Sequence, residues 1–425
     1  MTQLKDDCFA YSGELTPFAD AMAALEGRVK TVTETEVVPI GQAVGRVLAE
    51  DLISPMNVPP HDNAAVDGYA VYFDDLDPSG ETRLPVAGRI AAGHVFDGAV
   101  KRGSTWRIFT GAPMPKDAGG EGPDTILMQE DCREEGGVAV LPAGIKQGAN
   151  RRFAGEDVKQ GTAILRAGMR LNPQAIGLAA STGFSEVSVF RRLRAAVFST
   201  GDEVMDPVAG KALGPGTIFD ANRFIVMALL GDLGVEVTDL GILPDDAGII
   251  GAALSEAAPE HDVILTSGGV SQGEEDHVAE VVEKLGSLHF WRIAIKPGRP
   301  LALGQIKNTV FVGLPGNPVA TMVTFMMIAR PVILRMGGRN DVQPTRFRVP
   351  LAHAVRKKTG RLEWMRGILV TGADGQLAVE RFAQEGAGIL TSMVTANGLI
   401  EFPESASNQD AGQLVDFIPF SEVTT

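Results

Sequence analysis

The chain has 425 residues, of which 44% are hydrophobic and 21% are charged, and its formal net charge is -15. This length exceeds the roughly 100–200 residues of one ordinary domain and predicts about three folding units. The acidic balance argues against general nucleic-acid binding, because a duplex would repel such a surface. No apolar run approaches the roughly 18–20 residues that cross a bilayer, and the polar start lacks a signal-peptide pattern. We therefore expect a soluble, cytoplasmic, multidomain protein with no membrane or nucleic-acid partner.

Two helical patterns open the chain. Thr16 and Pro17 precede apolar residues at positions 18, 21, 22, 25 and 29, which predicts a capped helix. Apolar residues at 40, 43, 44, 47 and 48 predict a second helix over 40–49, although Gly41 and Gly45 weaken it. Several prolines near residue 55 then mark a boundary.

A β-rich segment follows these prolines. Short runs at 68–71, 84–88, 104–109 and 125–128 lie between glycine and proline turns and predict the strands of a small inserted domain over 56–149. A helical pattern resumes at 173–180. Residues 1–55 and 150–190 would therefore form one discontinuous N-terminal domain around the insert.

From Arg194 onward, strand and helix patterns alternate as in a parallel α/β unit, which we assign to 191–340. Pro331 should kink or break the last helix of this unit. The remaining residues, 341–425, contain strand candidates typical of a small barrel or sandwich. The predicted strands of the α/β unit are 195–199, 235–240, 263–266, 290–295 and 310–312, and its predicted helices are 222–233, 247–258, 276–285 and 317–335.

Glycine-rich turns in 263–318 should meet along one edge of this sheet. One of them follows a buried strand and opens a helix, so its backbone N–H groups can converge on an anion. A Gly-Gly turn between a strand and a helix is also common without any ligand. The candidate anion-binding residues of this turn are Ser267, Gly268, Gly269 and Ser271.

Three cations lie close together in an otherwise acidic chain. Arg292, Lys296 and Arg299 follow or end a predicted strand, and alternation would place Arg292 and Lys296 on the same face. Each could simply pair with a surface carboxylate. Their position beside the glycine turn favours phosphate or oxyanion binding. The nearby turn 313–318, Gly-Leu-Pro-Gly-Asn-Pro, is rigid and can form a pocket floor.

Carboxylates follow several of the predicted strands. Glu203, Asp245, Asp246 and Asp276 would converge at the carboxyl ends of a parallel sheet. Magnesium prefers such oxygen ligands together with phosphate. The alternative is that the aspartates cap helices or interact with helix dipoles, and capping and ligation are not exclusive.

Other common site patterns are missing from the sequence. The six histidines show no metal-ligand spacing, and Cys8 and Cys132 fit neither a disulfide framework nor a close-spaced metal motif. No Ser/His/Asp set stands out. The first α/β strand is not followed by GxGxxG, which weakens a dinucleotide interpretation.

Seven segments together resemble the molybdopterin molybdenumtransferase family, the molybdenum-insertion enzymes that include the E domain of gephyrin. Their order and spacing span nearly the whole chain. Departures include Arg292, where many relatives have lysine, Gln272, and a longer turn over 116–123. The segments are DNAAVDGYA (62–70), TGAPMP (110–115), RRFAGED (151–157), STGDE (199–203), SGGVS (267–271), IKPGRP (295–300) and GLPGNP (313–318).

The resemblance implies four domains: an elongated, helical N-terminal domain split by the β-rich insert, a central parallel-sheet α/β domain and a C-terminal β-barrel. It also implies a homodimer whose cleft lies between the α/β domain of one subunit and the insert of the other. The functional positions of the family fall on Asp67, Thr110, Arg152, Asp157, Glu203, Asp245, Asp276, Arg292, Lys296, Pro315 and Pro318.

The resemblance thus predicts a magnesium-dependent transferase that inserts molybdenum from molybdate into adenylylated molybdopterin and releases AMP. Asp67, Glu203, Asp245, Asp276 and Lys296 are the catalytic candidates, and Asp245 and Asp276 the metal ligands. The molybdopterin-adenylylating enzyme would be a transient partner. Two alternatives stay open: adenylyltransferase-like nucleotide chemistry, which would consume ATP, and a non-catalytic dimeric scaffold.

Overall fold

The computed structural model describes residues 15–207, 210, 212–269, 277–298, 301–372 and 375–424. The predicted site residues Ser271, Asp276 and Arg299 lie outside these ranges. The first part of the chain contains α1 (Phe18–Arg28), β1 (Thr35–Pro39), β2 (Leu52–Ile53), β3 (Asn63–Ala64), β4 (Gly68–Val71), β5 (Thr82–Ile90), β6 (Thr105–Ile108), β7 (Thr125–Met128), β8 (Arg133–Glu135), β9 (Val138–Leu141), β10 (Arg151–Arg152), β11 (Ala163–Leu165), α2 (Pro173–Ser181) and β12 (Glu186–Phe190).

Antiparallel pairs join the two chain segments that flank the insert. Strand β1 pairs with β12, β2 with β11 and β3 with β10. Apolar side chains from both segments, such as Leu48, Leu52 and Leu165, form one buried cluster. Residues far apart in sequence therefore share a core, because each two-stranded pair buries an apolar face that it could not cover alone.

The predicted helix over 40–49 is wrong. Only a short 3-10 turn, Ile40–Gln42, forms there, and Gly45 has a φ of +78°, which turns the chain. Leu48 then donates its N–H to the carbonyl of Met169 at 3.0 Å and bridges to Val189. The apolar residues reach the core through extended backbone, so this region is less helical than predicted.

The first helix is confirmed, but its neighbours differ from those expected. Pro17 occupies the N-cap position without a side-chain hydrogen bond, so Thr16 does not cap the helix. Met22 and Leu25 are buried in the core of the α/β region rather than in the N-terminal cluster. The ring of Phe18 meets that of Trp364 edge-on at 5.0 Å between centroids. Helix α1 therefore ties the start of the chain to its last two regions.

The inserted region is a six-stranded sheet in the order β7-β4-β6-β5-β9-β8. Its four predicted strands are all present. Strands β5 and β6 are parallel and the other neighbours are antiparallel. Trp106 on β6 is fully buried and packs against Tyr72 and Phe96.

A six-stranded sheet forms the centre of the α/β region, in the order β16-β13-β17-β21-β20-β18. Helices α3 and α6 pack on one side of it, and α4 and α5 on the other. The elements of this region are β13 (Arg194–Thr200), β14 (Val204–Met205), β15 (Ile218–Phe219), α3 (Asn222–Asp232), β16 (Glu236–Leu243), α4 (Ala247–Ala257), β17 (Val263–Ser267), α5 (His277–Leu285), β18 (Gly286–Trp291), β19 (Ile295–Lys296), β20 (Leu301–Ile306), β21 (Thr309–Leu314), α6 (Pro318–Thr324) and α7 (Arg330–Met336).

This sheet is mixed, which corrects the prediction of a parallel sheet. Strands β16, β13, β17 and β21 are parallel, whereas β20 runs antiparallel to both β21 and β18. A tight turn at Lys307, whose φ is +54°, joins β20 and β21 as a hairpin. The sequence pattern missed β20 because no helix separates it from β21.

The predicted strand over 290–295 is divided between two sheets. Strand β18 ends at Trp291, and β19 leaves the α/β sheet to pair in parallel with β23 of the last region. Ile295 is opposite Leu362, and Lys296 is opposite Glu363. Arg292 and Lys296 are therefore not on the same face of one strand.

One helix of 19 residues, Pro318–Met336, closes the α/β region. It is long and apolar enough to cross a membrane by length and composition, yet 89% of its most apolar window is buried inside the protein. A π-helical turn, Phe325–Ala329, lies just before Pro331. The helix continues through the proline instead of breaking, because the π turn changes the local hydrogen-bond spacing.

The last region is a curled sheet. Strands β19, β23, β25, β26 and β22 are neighbours in that order, and β24 pairs with the far end of β23. Leu351, just after β22, bridges to Val379 on β24. The elements are β22 (Phe347–Pro350), β23 (Leu362–Thr371), β24 (Leu377–Arg381), α8 (Thr391–Thr395), β25 (Gly398–Phe402) and β26 (Leu414–Pro419).

Candidate functional site

A cavity of about 330 Å³ lies at the carboxyl ends of β13 and β17. We call it the Ser-Gly-Gly cavity. The starts of α3 and α6 border it, so the positive ends of two helix dipoles lie at its edge. Its lining residues include Ser199, Thr200, Glu203, Asp220, Asn222, Asp245, Ser267, Gly268, Gly269, Gly316 and Pro318.

The glycines of this cavity adopt backbone conformations that other residues avoid. Gly268 has a φ of +83° and Gly269 a φ of +64°. A Cβ atom on Gly269 would lie 2.7 Å from Cγ2 of Thr200, and the N–H of Gly268 donates to the carbonyl of Leu314 at 3.0 Å. Glycine thus lets the turn fold tightly against β13 and β21 and leaves its backbone open to a ligand.

Several polar atoms at the cavity have no protein partner. The hydroxyls of Ser199 and Thr200 and Oδ1 of Asn222 are buried without a hydrogen bond within the described part of the chain. Leaving such a group unsatisfied costs roughly 1–3 kcal/mol. The amide nitrogen of Asn222 donates to the carbonyl of Gly316 at 2.7 Å, which fixes the side chain. These atoms are suited to meet a polar ligand.

Two adjacent aspartates at the start of α4 have different roles. Asp246 caps the helix, because its Oδ1 accepts the N–H of Ile249 at 2.9 Å. Asp245 lines the cavity instead, as does Glu203. Helix capping is therefore confirmed for Asp246, whereas metal ligation by Asp245 at the cavity stays a prediction.

Asp220 belongs to a network around a buried arginine. Arg223 is only 2% exposed and pairs with Asp206 at 2.9 Å, with Asp220 at 3.0 Å and with Asp239. Burial lowers the pKa of Arg223, but the hydrogen bonds that its guanidinium donates to the three carboxylates outweigh this effect and raise the pKa overall. The charge of Arg223 is thus neutralised by protein carboxylates, and its role is to hold the wall of the cavity.

A second cavity of about 480 Å³ lies between the α/β region and the curled sheet. We call it the Lys-Arg cavity. Lys296 lines it and pairs with Glu363 at 2.5 Å, with Glu385 further away at 4.0 Å. Four further charged residues line it, namely Glu363, Glu385, Arg366 and Arg381, and Arg381 is paired with Glu385.

Arg366 is the least compensated of these charges. It is 9% exposed, and its guanidinium donates to Oγ of Ser392 and the carbonyl of Gln384, each at 3.0 Å, and to the carbonyl of Gly386 at 3.3 Å. All three acceptors are neutral. Among the described residues no carboxylate lies within ion-pair distance, and burial together with Arg381 lowers the pKa of Arg366. A buried cation with neutral partners at a cavity wall favours an anionic ligand.

The two cavities lie on opposite sides of one rigid turn. Pro315 and Asn317 line the Lys-Arg cavity, whereas Gly316 and Pro318 line the Ser-Gly-Gly cavity. The hydroxyl of Thr321 donates to the carbonyl of Pro315 at 2.6 Å and holds the turn against α6. The turn is therefore a shared wall.

Three stretches of the chain match described families. Residues 16–183 match the MoeA N-terminal region (domain I and II), 196–335 a probable molybdopterin binding domain, and 348–420 the MoeA C-terminal region (domain IV). A molybdopterin molybdenumtransferase of Haemophilus influenzae is 40% identical over 393 residues, covering 92% of this chain and 95% of the relative. The chain belongs to the molybdopterin molybdenumtransferase family.

Further relatives support the same family membership. Molybdopterin molybdenumtransferase 2 of Mycobacterium tuberculosis is 34% identical over 389 residues, covering 88% of this chain and 92% of the relative. The crystal structure of a molybdopterin biosynthesis moeA protein from Pyrococcus horikoshii has a TM-score of 0.81 and 28% identity, covering 96% of this chain and 100% of that chain. The resemblance predicted from sequence is confirmed, as is a multidomain α/β fold with sheet-rich domains.

Two predicted residues of this molybdenumtransferase family member meet in the insert. The backbone N–H of Thr110 donates to Oδ1 of Asp67 at 2.8 Å, and its hydroxyl donates to the same oxygen at 2.7 Å. These two bonds lower the pKa of Asp67. Neither residue lines either cavity of the same chain. Arg152 and Asp157 are exposed and also lie outside both cavities.

Two of the predicted cations are not beside the glycine turn. Lys296 lies in the Lys-Arg cavity and not with Ser267 to Gly269, because β19 crosses to the curled sheet. Arg292 is exposed and lines neither cavity, because the chain leaves β18 just before it. The α/β region thus separates groups that the sequence pattern places together.

Sequence reasoning missed Arg366, Ser392 and Asn222. Arg366 lies within Glu-Trp-Met-Arg on β23, where alternation alone gives no sign of a cavity. Ser392 is a buried residue of the short helix α8. Asn222 follows Asp220 in a stretch that reads as a helix start. Only the tertiary packing identifies these residues.

Proposed function

We propose that this protein transfers molybdenum from molybdate to adenylylated molybdopterin, releasing AMP and giving molybdenum cofactor. The names of its relatives support this activity, since several are called molybdopterin molybdenumtransferase. The observation that carries the proposal concerns Arg366, which lies in a cavity next to the glycine turn. Its guanidinium is buried and donates hydrogen bonds to a hydroxyl and two carbonyls, all of them neutral acceptors. One cavity suits a tetrahedral oxyanion, and its neighbour suits a phosphorylated ligand.

The Ser-Gly-Gly cavity would hold the phosphates of the adenylylated pterin. The backbone N–H of Gly269 and the unsatisfied hydroxyls of Ser199 and Thr200 are the donors available for phosphate oxygens, whereas the N–H of Gly268 is already bonded to Leu314. Such donors stabilise charge that develops as a phosphoanhydride bond breaks. Ser267 and Pro318 would shape the same wall. Ser271, which lies outside the described residues, stays a candidate from the sequence alone.

The cavity suits a magnesium ion that is bound partly by substrate phosphates, rather than a metal ion that protein side chains alone enclose. Among the described residues no group of three or more acidic, histidine or cysteine side chains could enclose a metal ion. Magnesium typically uses one or two carboxylates together with substrate phosphates and water. Asp245, with Glu203 nearby and Asp276 as the further candidate, would hold it. When bound, the ion supplies neutralisation of phosphate charge.

The Lys-Arg cavity would seat molybdate. Arg366 offers a planar guanidinium group with neutral partners. Arg381 offers a second one that is paired with Glu385, and Lys296 offers a point charge that is paired with Glu363. Pro315 shapes the floor beside them. Arg292 and Arg299, first expected to bind the oxyanion, are secondary candidates. Arg292 lies outside the cavity, and Arg299 lies outside the described residues. The oxyanion would be desolvated here, one turn away from the pterin phosphates.

We further propose the assembly that the resemblance implied. The domains would be 1–55 with 150–190, 56–149, 191–340 and 341–425, the first elongated and the last a β-barrel. A homodimer would bring Asp67, Thr110, Arg152 and Asp157 of one subunit to the Ser-Gly-Gly cavity of the other. We also expect a cytoplasmic location and a transient contact with the adenylylating enzyme.

The test is product analysis with purified protein, adenylylated molybdopterin, molybdate and magnesium. We expect release of one AMP per pterin, dependent on molybdate, and no consumption of ATP. Consumption of ATP would identify adenylyltransferase chemistry instead. Absence of any AMP from a folded protein would contradict the proposal and leave the scaffold alternative.

A further inference from the structure

A third cavity lies where the N-terminal region meets the α/β region, away from both cavities described above. Its lining combines residues 45–47, 170 and 190–193 from one side with 233–235 and 333–339 from the other. We call it the arginine cavity. Its charged lining residues are Arg46, Arg170, Arg191, Arg192 and Arg339, and no described carboxylate lines it. In a chain whose formal net charge is -15, such a concentration of arginine is unexpected.

Three of these arginines already have protein partners. Arg46 pairs with Glu36 and donates to the carbonyl of Phe190 at 2.8 Å. Arg191 pairs with Asp262 at 2.9 Å, and Arg192 donates to the carbonyl of Gly234 at 3.1 Å. Their positions are fixed by these bonds, so they form the frame of the cavity.

Arg170 and Arg339 differ from the other three. Neither guanidinium has a hydrogen bond or an ion pair within the part of the chain that the structure describes. Arg170 reaches over Gly45, whose missing Cβ would lie 4.0 Å from its Nη2. Burial lowers the pKa of Arg339 and the charge of Arg170 lowers it further, which together outweigh the opposite effect of the charge of Asp341. Two like charges are thus held near each other at a partly desolvated junction, which costs free energy unless an anion is bound between them.

The fold holds these two arginines in place. Strand-like bridging of Arg170 to Val47 fixes one backbone, and the hydrogen bond from the N–H of Arg339 to the carbonyl of Leu334 at 2.9 Å fixes the other. Next to them, the amide of Asn340 donates to the carbonyl of Ala167 at 2.9 Å. The two regions therefore meet in a defined geometry, and the backbone positions of both arginines are fixed.

The size of the cavity limits the ligand. Its volume is about 50 Å³, compared with about 330 and 480 Å³ for the other two cavities. The space therefore suits a small anion better than a nucleotide or a pterin.

We propose that the arginine cavity binds one dianionic tetrahedral oxyanion, such as inorganic sulfate or phosphate, between Arg170 and Arg339. The guanidinium forks match the edges of such an anion. Because the two arginines belong to different regions of the chain, the bound anion stabilises the junction between them. It stabilises the folded protein by mass action, in proportion to its occupancy.

The test measures sulfate and phosphate binding separately by equilibrium dialysis with radiolabelled anion. All proteins carry Arg366→Gln, so that the Lys-Arg cavity does not contribute. For each anion we expect one saturable site per chain that depends on Arg170 and Arg339, separate from any anion held by the Ser-Gly-Gly cavity. The double variant Arg170→Gln/Arg339→Gln should bind at that site at least 10-fold more weakly. The matched control, Arg83→Gln/Arg348→Gln, removes the same charge from exposed ion pairs and should leave binding unchanged.

Thermal unfolding supplies an independent readout. Relative to chloride at equal ionic strength, sulfate should raise the transition temperature of the Arg366→Gln protein more than that of the double variant, because the general stabilisation by sulfate acts on both proteins. If the double variant does not fold, Arg170→Lys/Arg339→Lys retains both charges without the forks and should still bind more weakly. Undiminished binding in the folded double variant or in the lysine variant would overturn the proposal. Non-saturable binding in all of the proteins would also overturn it, because it would indicate an adventitious ion only.

Discussion

The Ser-Gly-Gly and Lys-Arg cavities share one wall but differ in charge. The first presents carboxylates, hydroxyls and backbone N–H groups, and its nearby arginine, Arg223, is neutralised by three aspartates. In the second, Lys296 is paired with Glu363 and Arg381 with Glu385. Arg366 differs, because its acceptors among the described residues are all neutral. A phosphorylated ligand with a metal ion suits the first environment, and a small oxyanion beside Arg366 suits the second. Under the proposed function, the turn at Pro315 would hold the two substrates apart.

The largest expected effect concerns the Lys-Arg cavity. Arg366→Gln should raise the molybdate concentration needed for half-maximal AMP release by roughly 10–150-fold, because a hydrogen bond to a charged group contributes about 1.5–3 kcal/mol. Steady-state kinetics at varied molybdate measures it. Arg348→Gln, at an exposed arginine paired with Asp416, is the control and should behave as wild type. A normal molybdate dependence in folded Arg366→Gln would remove the oxyanion from this cavity.

The next prediction uses the adjacent aspartates on the other side of the turn. Asp245→Ala should lower AMP release by roughly 10–100-fold, because charge stabilisation near the phosphates is lost, and should leave stability nearly unchanged. Asp246→Ala should do the reverse, since it removes a helix cap and costs about 1 kcal/mol. Activity and denaturant unfolding are measured for both. Equal activity of the two variants would show that Asp245 does not face the ligand.

A third prediction concerns the glycine turn. Gly269→Ala should destabilise the protein by about 1–2 kcal/mol through its left-handed backbone alone, and the contact with Thr200 should distort the phosphate-binding backbone. Gly177→Ala is the matched control, because a Cβ there meets nothing within 4 Å. That control should be stabilising by about 1 kcal/mol, as in any helix interior. The denaturant midpoints of unfolding of the two variants test this prediction.

The smallest expected effect lies in the insert. The hydrogen bonds from Thr110 lower the pKa of Asp67, so the carboxylate stays ionised to lower pH than in an unfolded chain. Its stabilising contribution is present above the ordinary aspartate pKa and is lost as pH falls through the depressed value. Thr110→Val removes one bond and should raise the pKa of Asp67. An NMR titration of the Asp67 carboxyl measures the change, and an unaltered pKa would show that the hydroxyl bond does not form in solution.

Local patterns predicted much of this molecule because their physical causes are local. Alternation of apolar and polar residues located the insert strands and most α/β elements, and the Gly-Gly pair indicated a turn that requires positive φ. Helix 40–49 failed because apolar spacing cannot distinguish a helix from extended backbone that is held by a distant partner such as Met169. Long-range contacts, rather than local helix propensity, determined the conformation of that segment.

The division of the candidate site into two cavities could not be predicted from sequence. The run from Phe290 to Ile295 reads as one strand, and its division depends on the pairing of Ile295 with Leu362. Arg366 carries no local signal, because its importance comes from burial without a carboxylate. Long-range contacts therefore determined where Lys296 and Arg366 meet.

Anomalous diffraction from crystals soaked with molybdate tests the separation of the two substrates most directly. We expect a molybdenum peak in the Lys-Arg cavity, within contact distance of Arg366 and Lys296. A peak against Gly268 and Gly269 in the Ser-Gly-Gly cavity, with the Lys-Arg cavity empty of molybdenum, would contradict it.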